Sequence, residues 1–264
     1  MNPKISIITI TYNSGSTLED TILSVISQDY NNLEYLIIDG GSSDNTLDIV
    51  NKYRDKIAFV ISEPDKGISD AFNKGIKYAT GEIVGIINSD DLLMPNALKI
   101  ISENYSPYID VYSGNVILWN EDTGDEFSSK PDIAFDKLKL QYNVGHPARF
   151  IKRNAYEKYG LYSEDFRYNM DIDLLCRFYK NGATFIHIDK DLAKFRMGGT
   201  TADSIYKKKK DYYQFVRNYG GSLWDFRKLW ISAIIKYCLI RFSITLLGER
   251  FRFKYYKVTN YFHK

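Results

Sequence analysis

Two hydrophobic periods alternate along the first hundred residues. Ile5–Tyr12 (ISIITITY) is a β-branched run of strand type. The apolar series Leu18, Ile22, Val25 and Ile26 then falls on one helical face, with Ser16 and Glu19 at capping-box spacing ahead of it. LEYLIID predicts a second strand ending at Asp39, where Gly40 and Gly41 supply a tight turn into a helix over NTLDIVNKY. A short strand (IAFVIS), a third helix starting near ISDAFNKGIKYA and a fourth strand (EIVGIIN) follow. Pro95 is expected in the first turn of the next helix. Strands separated by helices of about ten residues imply right-handed crossovers and a mostly parallel α/β sheet.

Ligands of such sheets bind beyond the carboxyl ends of the strands. Here those ends are polar: Thr11, Tyr12 and Asn13 after the first, Asp39 after the second, Glu63 to Asp65 after the third, and Asn88, Ser89, Asp90 and Asp91 after the fourth. Neither GxGxxG nor GxxxxGK[ST] is present, so a phosphate would need another counter-charge. Adjacent carboxylates at a strand tip repel one another unless a cation joins them, and their hard oxygens suit Mg²⁺ or Mn²⁺. The competing explanation is that Asp90 and Asp91 complement the dipole of the following helix.

The segments SIITITYN, IIDGGSSDNT, SEPDKGISDAFNKGIKYATGEIVGIINSDD and NMDIDLLCRF, in that order, resemble the motifs of the family 2 glycosyltransferases. The resemblance covers about Ile5 to Ser204 and is nearest to bacterial enzymes that assemble O-antigen, capsule and exopolysaccharide. It implies a GT-A (Rossmann-like) fold, inverting sugar transfer and a nucleotide-sugar donor, UDP-linked by preference. It places Thr11 and Tyr12 against the nucleobase and Asp39 as acceptor of its imide N–H, with Asn13 in the nucleotide-binding set. Asp65, Asp70 and Asn73 lie beneath the nucleotide, and Lys74 is either a diphosphate contact or a solvated helix lysine. Asn88, Ser89 and Asp90 join the nucleotide-binding set, and Asp90 holds Mn²⁺ or Mg²⁺ with support from Asp91. Asn88 stands where the family's D-x-D begins. In RYNMDIDLLCRF, Met170 stands where glutamate is common, and Asp171 becomes the general base, with Asp173 as its understudy. Asp171 and Asp173 could otherwise merely cap a helix.

Other features carry weaker signals. His146 is a candidate acceptor or phosphate contact, or a structural histidine. Arg196 with Gly198 and Gly199 could form a loop closing on the diphosphate, or a plain turn. Tyrosines near 105, 159 and 212 could stack on sugars, although burial explains most aromatic residues. Cys176 and Cys238 are expected to be buried thiols, since neither has metal-ligand or redox spacing.

Charge divides a chain whose net value is only +2. Residues 205–264 hold 14 lysines and arginines against three acids, a net +11, leaving −9 for residues 1–204. The expected organisation is a glycosyltransferase domain over 1–204, with a nucleotide-binding half (about 1–105) and an acceptor half (about 106–204). A basic, aromatic, helical extension over 205–264 completes it. Lys236 and Arg241 interrupt the apolar stretch Leu229–Leu247, which argues against a spanning helix and for one lying on an anionic membrane surface. Docking on the body or on a second copy as a homodimer is the alternative. No nucleic-acid-reading module is present. The start of the chain lacks a secretory pattern, so the expected place is the cytoplasmic face of the membrane, with a lipid-linked saccharide as acceptor. A sugar nucleotidyltransferase and a non-catalytic saccharide-binding scaffold are the rival functions.

Overall fold

A computed structural model describes residues 2–121, 123–135, 145–197 and 205–247. The first half runs β1 (Ile5–Thr11), α1 (Leu18–Ile26), β2 (Leu33–Asp39), α2 (Thr46–Lys52), β3 (Phe59–Ser62), α3 (Ile68–Tyr78), β4 (Ile83–Asn88), β5 (Leu92–Leu93) and α4 (Ala97–Glu103). The second half adds β6 (Val111–Trp119), β7 (Glu126–Ser129), β8 (Arg149–Lys152), α5 (Arg153–Tyr159), α6 (Met170–Lys180), β9 (Phe185–Arg196), α7 (Lys209–Asn218) and α8 (Leu223–Leu247). Among the described residues these strands form one sheet in the order β3-β2-β1-β4-β8-β6-β9-β5, with β7 on β6.

The first four strands are parallel, as their periodicity predicts. Each is apolar on both faces because both faces are covered. Ile8, Leu36, Ile38, Val84 and Ile86 belong to one hydrophobic cluster with Phe72 and Ile76 of α3. Ile7, Tyr35, Ile37 and Ile87 belong to the other, with Leu18, Ile22 and Val25 of α1. A Cβ on Gly75 would come within 2.4 Å of Ile8 Cγ2, so glycine there lets α3 lie directly on β1.

The register puts the strand ends level, with Thr11 opposite Asp39, Asp39 opposite Ser62, and Ile10 opposite Asn88. β5 follows β4 almost at once in the chain, yet it pairs with β9 at the far end of the order. The sheet therefore curls, and Asn88–Asp91 bridges its centre to the end of β9.

Three local expectations change. Thr17, not Ser16, precedes α1 and makes no side-chain cap, and Glu19 turns outward to Lys52 Nζ and Tyr53 Oη, each at 2.5 Å. Pro95 lies before α4, whose N-cap is Asn96 in the left-handed region. Cys176 is buried as expected, whereas Cys238 is exposed on α8.

Candidate functional site

An open cleft of about 980 Å³ runs along the carboxyl ends of β1 and β4. Thr11, Tyr12, Asn13 and Ser14 form one wall, Asp65 to Ala71 another, and Asn88 to Asp90 the base. Phe195, Arg196 and Met197 and the segment holding Glu164 and Phe166 to Tyr168 complete it. Eight of the sequence-predicted residues are brought together here: Thr11, Tyr12, Asn13, Asp65, Asp70, Asn88, Ser89 and Asp90. Arg196 joins them.

The local chain explains each placement. Tyr12 projects from the end of β1 into the cleft and is 62% exposed among the described residues. Asn13 adopts a φ of 49°, and its Oδ1 accepts the Ser43 N–H at 2.8 Å, which locks the turn after β1 to the turn after β2. Asp65 accepts the Gly67 N–H at 2.9 Å. Asp70 accepts the Lys66 N–H at 2.9 Å and pairs with Lys74. Ser89 and Ser14 share a hydroxyl hydrogen bond of 2.7 Å.

Asp90 and its neighbour separate sharply. Burial raises the Asp90 carboxyl above the ordinary aspartate range. No described side chain hydrogen-bonds its carboxylate. Asn88 Oδ1 beside it is buried without a partner among the described residues, as is Thr11 Oγ1. Asp91 points into the fold instead: fully buried, it accepts the Arg196 N–H at 3.1 Å and Asn88 Nδ2 at 3.3 Å. Burial, then the charge of Asp90, raises its carboxyl well above the usual value. The expected support of Asp91 to a metal thus gives way to a structural role, because its oxygens join the curled ends of the sheet.

Asp39, Asn73 and Lys74 lie off the cleft wall. Asp39 is fully buried; its Oδ2 accepts the Gly41 and Ser42 N–H groups and Ser62 Oγ, and its Oδ1 accepts Ser42 Oγ. Asn73 exchanges two hydrogen bonds with the Tyr162 backbone and clamps α3 to the loop before α6. Lys74 is held by Glu63 and Asp70. Arg196 pairs with Glu121 and lies 4.5 Å over the Trp119 ring, so its charge is partly engaged. Gly198 and Gly199 lie outside the described residues.

A second, much smaller pocket is lined by His146, Arg149, Tyr156, Tyr162 and Asp171 among apolar side chains. Burial raises Asp171 to about 6. Burial, then the Arg149 charge, lowers His146 to about 4, and burial lowers Arg149 to about 10. His146 stacks on Phe72, and its Nε2 has no partner among the described residues. Asp173, two residues from Asp171, points elsewhere and is ion-paired with Arg177 at 2.8 Å. The sequence offered no motif for Arg149 or for the Glu164–Tyr168 wall. The one available signal was the arginine and tyrosine directly before NMDIDLL.

A family model described as glycosyl transferase family 2 matches residues 6–162, more than half of the chain. The chain belongs to this family. An uncharacterized glycosyltransferase of Rickettsia typhi is 29% identical over 196 residues, 70% of this chain and 61% of the relative. A second Rickettsia relative is matched over 59% of its length, so the chain spans about three fifths of either. WfgD of Escherichia coli, a UDP-Glc:alpha-D-GlcNAc-diphosphoundecaprenol beta-1,3-glucosyltransferase, is 34% identical over 144 residues, 53% of this chain and 57% of WfgD. Among solved structures, S. aureus TarS in complex with UDP-GlcNAc superposes with a TM-score of 0.63 at 24% identity, over 81% of this chain and 64% of that one. The Pyrobaculum calidifontis mannosyltransferase PcManGT, in complex with GDP-Man and Mn²⁺, gives 0.61 at 19%, over 82% and 63%. The fold of this family 2 member is accordingly GT-A, a curled sheet flanked by helices.

Proposed function

We propose that this chain is an inverting glycosyltransferase that moves a sugar from a UDP-linked donor to a lipid-linked saccharide during synthesis of a bacterial surface polysaccharide. The observation that carries the proposal is the cleft base, where the Asp90 carboxylate and the unpartnered Oδ1 of Asn88 lie together at the strand ends of a family 2 domain. Residues 1–204 supply the transferase unit and 205–264 the extension that brings it to the cytoplasmic face of the membrane. In support of the donor and acceptor classes, the name of WfgD specifies UDP-Glc and a diphosphoundecaprenol-linked GlcNAc, and TarS was solved with UDP-GlcNAc.

Tyr12 stacks on the nucleobase in this proposal, between Thr11 and Asn13. Asp65 and Asp70 face the ribose side. Asp39 braces the Gly40–Ser42 turn that shapes the base pocket, and its Oδ1 meets the base by exchanging the Ser42 hydroxyl for a base N–H.

The donor set fits a hard divalent cation. No group of three or more acidic, histidine or cysteine side chains among the described residues could hold a metal ion on its own. Mg²⁺ and Mn²⁺ characteristically take one or two carboxylates and complete their shell with substrate phosphates and water. Asp90, with Asn88 Oδ1, would hold such an ion, which when bound stabilises the charge on the departing diphosphate. Asp171 removes the proton from the acceptor hydroxyl. A carboxyl raised to about 6 suits that task near neutral pH. Arg149, in the same pocket, favours the charged form, and His146 and Tyr162 line the pocket beside it.

No helix among the described residues is long and apolar enough to cross a membrane. α8 does expose Trp224, Ile231, Ile235, Leu239 and Phe242, which share one helical face, with Arg227, Lys228 and Arg241 along the helix. An anionic bilayer surface matches both the apolar stripe and the basic excess.

Titrating UDP with and without Mn²⁺, then offering UDP-sugars with a diphosphate-linked lipid GlcNAc, tests the proposal. Metal-enhanced UDP binding and transfer are expected; absence of nucleotide affinity in both conditions overturns it.

A further inference from the structure

The first turn of α6, which carries Asp171, is held from outside by α7. Asn169 is the N-cap residue of α6, but its side chain makes no cap, and its Nδ2 has no partner among the described residues. The acceptor comes instead from Asp211, in the first turn of α7. Its Oδ2 takes the backbone N–H groups of Arg167, Tyr168 and Asn169 at 3.1, 2.7 and 3.1 Å. Asp211 is 2% exposed. A carboxylate receiving three amides makes charge-assisted bonds, and its charge complements the amino end of the α6 dipole.

The other end of α7 adds a second tie. The Tyr219 hydroxyl donates to the Asp173 carbonyl at 2.9 Å and lies 3.1 Å from the Asp173 carboxylate. One end of α7 thus holds Arg167–Asn169, directly before α6, and the residue that ends it holds Asp173 in the first turn. Hydrophobic contact lies between the two ties, since Tyr212, Phe215 and Val216 share a cluster with Phe166, Met170 and Ile172.

We propose that Asp211, seconded by Tyr219, is a positioning residue of the transferase site: it fixes the Arg167–Asn169 backbone, and with it both the cleft wall and the Asp171 carboxylate. The proposal rests on the assignment of Asp171 as base. Loss of the ties leaves the donor's strand-end anchors in place, because Tyr12, Asp65 and Asp90 follow β1, β3 and β4. They act on the geometry between base and acceptor, where a displacement of about 1 Å costs roughly 10²-fold in rate.

The experiment compares full-length wild type with Asp211→Ala, Asp211→Asn and Tyr219→Phe. The Asn variant keeps an acceptor oxygen in place, and the Phe variant deletes one hydroxyl and keeps the ring. Amide exchange of residues 167–169 is expected to accelerate in Asp211→Ala with the β1–β4 amides unchanged. Its kcat should fall by at least roughly tenfold. UDP affinity should stay within about twofold, Asp211→Asn should recover most of the rate, and Tyr219→Phe should show a smaller loss of kcat. Unchanged exchange at 167–169, or a wild-type kcat in a folded Asp211→Ala chain, overturns the proposal. If Asp211→Ala does not fold, Tyr219→Phe decides: a loss in kcat at constant donor KM supports it, and wild-type kinetics reject it. A wild-type chain that transfers no sugar refutes the function instead, while amide exchange still reports on the anchoring.

Discussion

Asp171 has the environment in which a carboxylate becomes a base at neutral pH. Burial opposes its charge, and Arg149 in the same pocket recovers part of the loss. With Asp171 as the proposed base, the rate of transfer should fall on acidification with a midpoint near 6, as its carboxylate takes up a proton. Arg149→Met should move that limb to higher pH, because it removes a charge that favours the carboxylate. A pH profile of kcat for the two proteins checks the direction. The same burial has a cost in stability. A folded-state pKa above the unfolded 3.8 gives stabilisation that is complete below pH 3.8 and disappears as pH rises through about 6. Asp171→Asn should thus melt higher than wild type at pH 8 while kcat drops by roughly 10² to 10⁴. Asp90→Ala should abolish the metal dependence of UDP binding, measured by calorimetry with and without Mn²⁺. Retained metal dependence would place the ion elsewhere.

At the scale of elements, the strand ends work because their registers are fixed far from the cleft. Glu34 accepts Lys4 Nζ and Ser6 Oγ, each at 2.6 Å, and the Thr80 N–H at 2.7 Å, joining the amino ends of β1 and β2 to the loop before β4. Burial raises its carboxyl, but these hydrogen bonds outweigh burial and hold it at about 2. The folded value lies below the unfolded 4.5, so the stabilisation is full above pH 4.5 and fades as pH falls toward 2. Glu34→Gln should lower the melting temperature at pH 7, with the difference closing near pH 2. Melting curves across that window decide it. These elements were legible in the sequence. β1 to β4, α1 to α3 and their turns are local patterns, and the polar strand ends followed from them directly. The details that failed depend on partners distant in sequence: Glu19 left its predicted cap for Lys52 and Tyr53, and Asp91 joined the amide of Arg196.

The whole molecule joins a negative body to a positive extension, yet the hydrophobic core does not stop at residue 204. Phe226, Trp230 and Ala233 of α8 are buried in the cluster that contains Phe166 and Met170. Tyr212 meets Trp230, and Tyr213 meets Phe226, each with ring centroids 5.5 Å apart. Removing the chain after Gly221 should therefore expose apolar surface and lower solubility rather than release an intact body. Substitution on the opposite face is the cleaner test of membrane docking. Ile235→Glu with Phe242→Glu should abolish sedimentation with anionic vesicles and leave the melting temperature unchanged. Retained sedimentation would mean that this stripe faces something other than lipid.

From its order of residues alone the chain specified alternating strands and helices, a parallel sheet, a polar rim, family motifs and a split in charge. Each is a local or additive property: side-chain period, turn chemistry and counted charge need no knowledge of what lies across the fold. Tertiary structure alone decided that Asp90 faces the cleft while Asp91 faces inward, that Asp171 shares a pocket with Arg149, and that Asp211 holds the turn before α6. Those outcomes depend on burial and on partners brought together by sheet curl and helix packing, which no local pattern encodes.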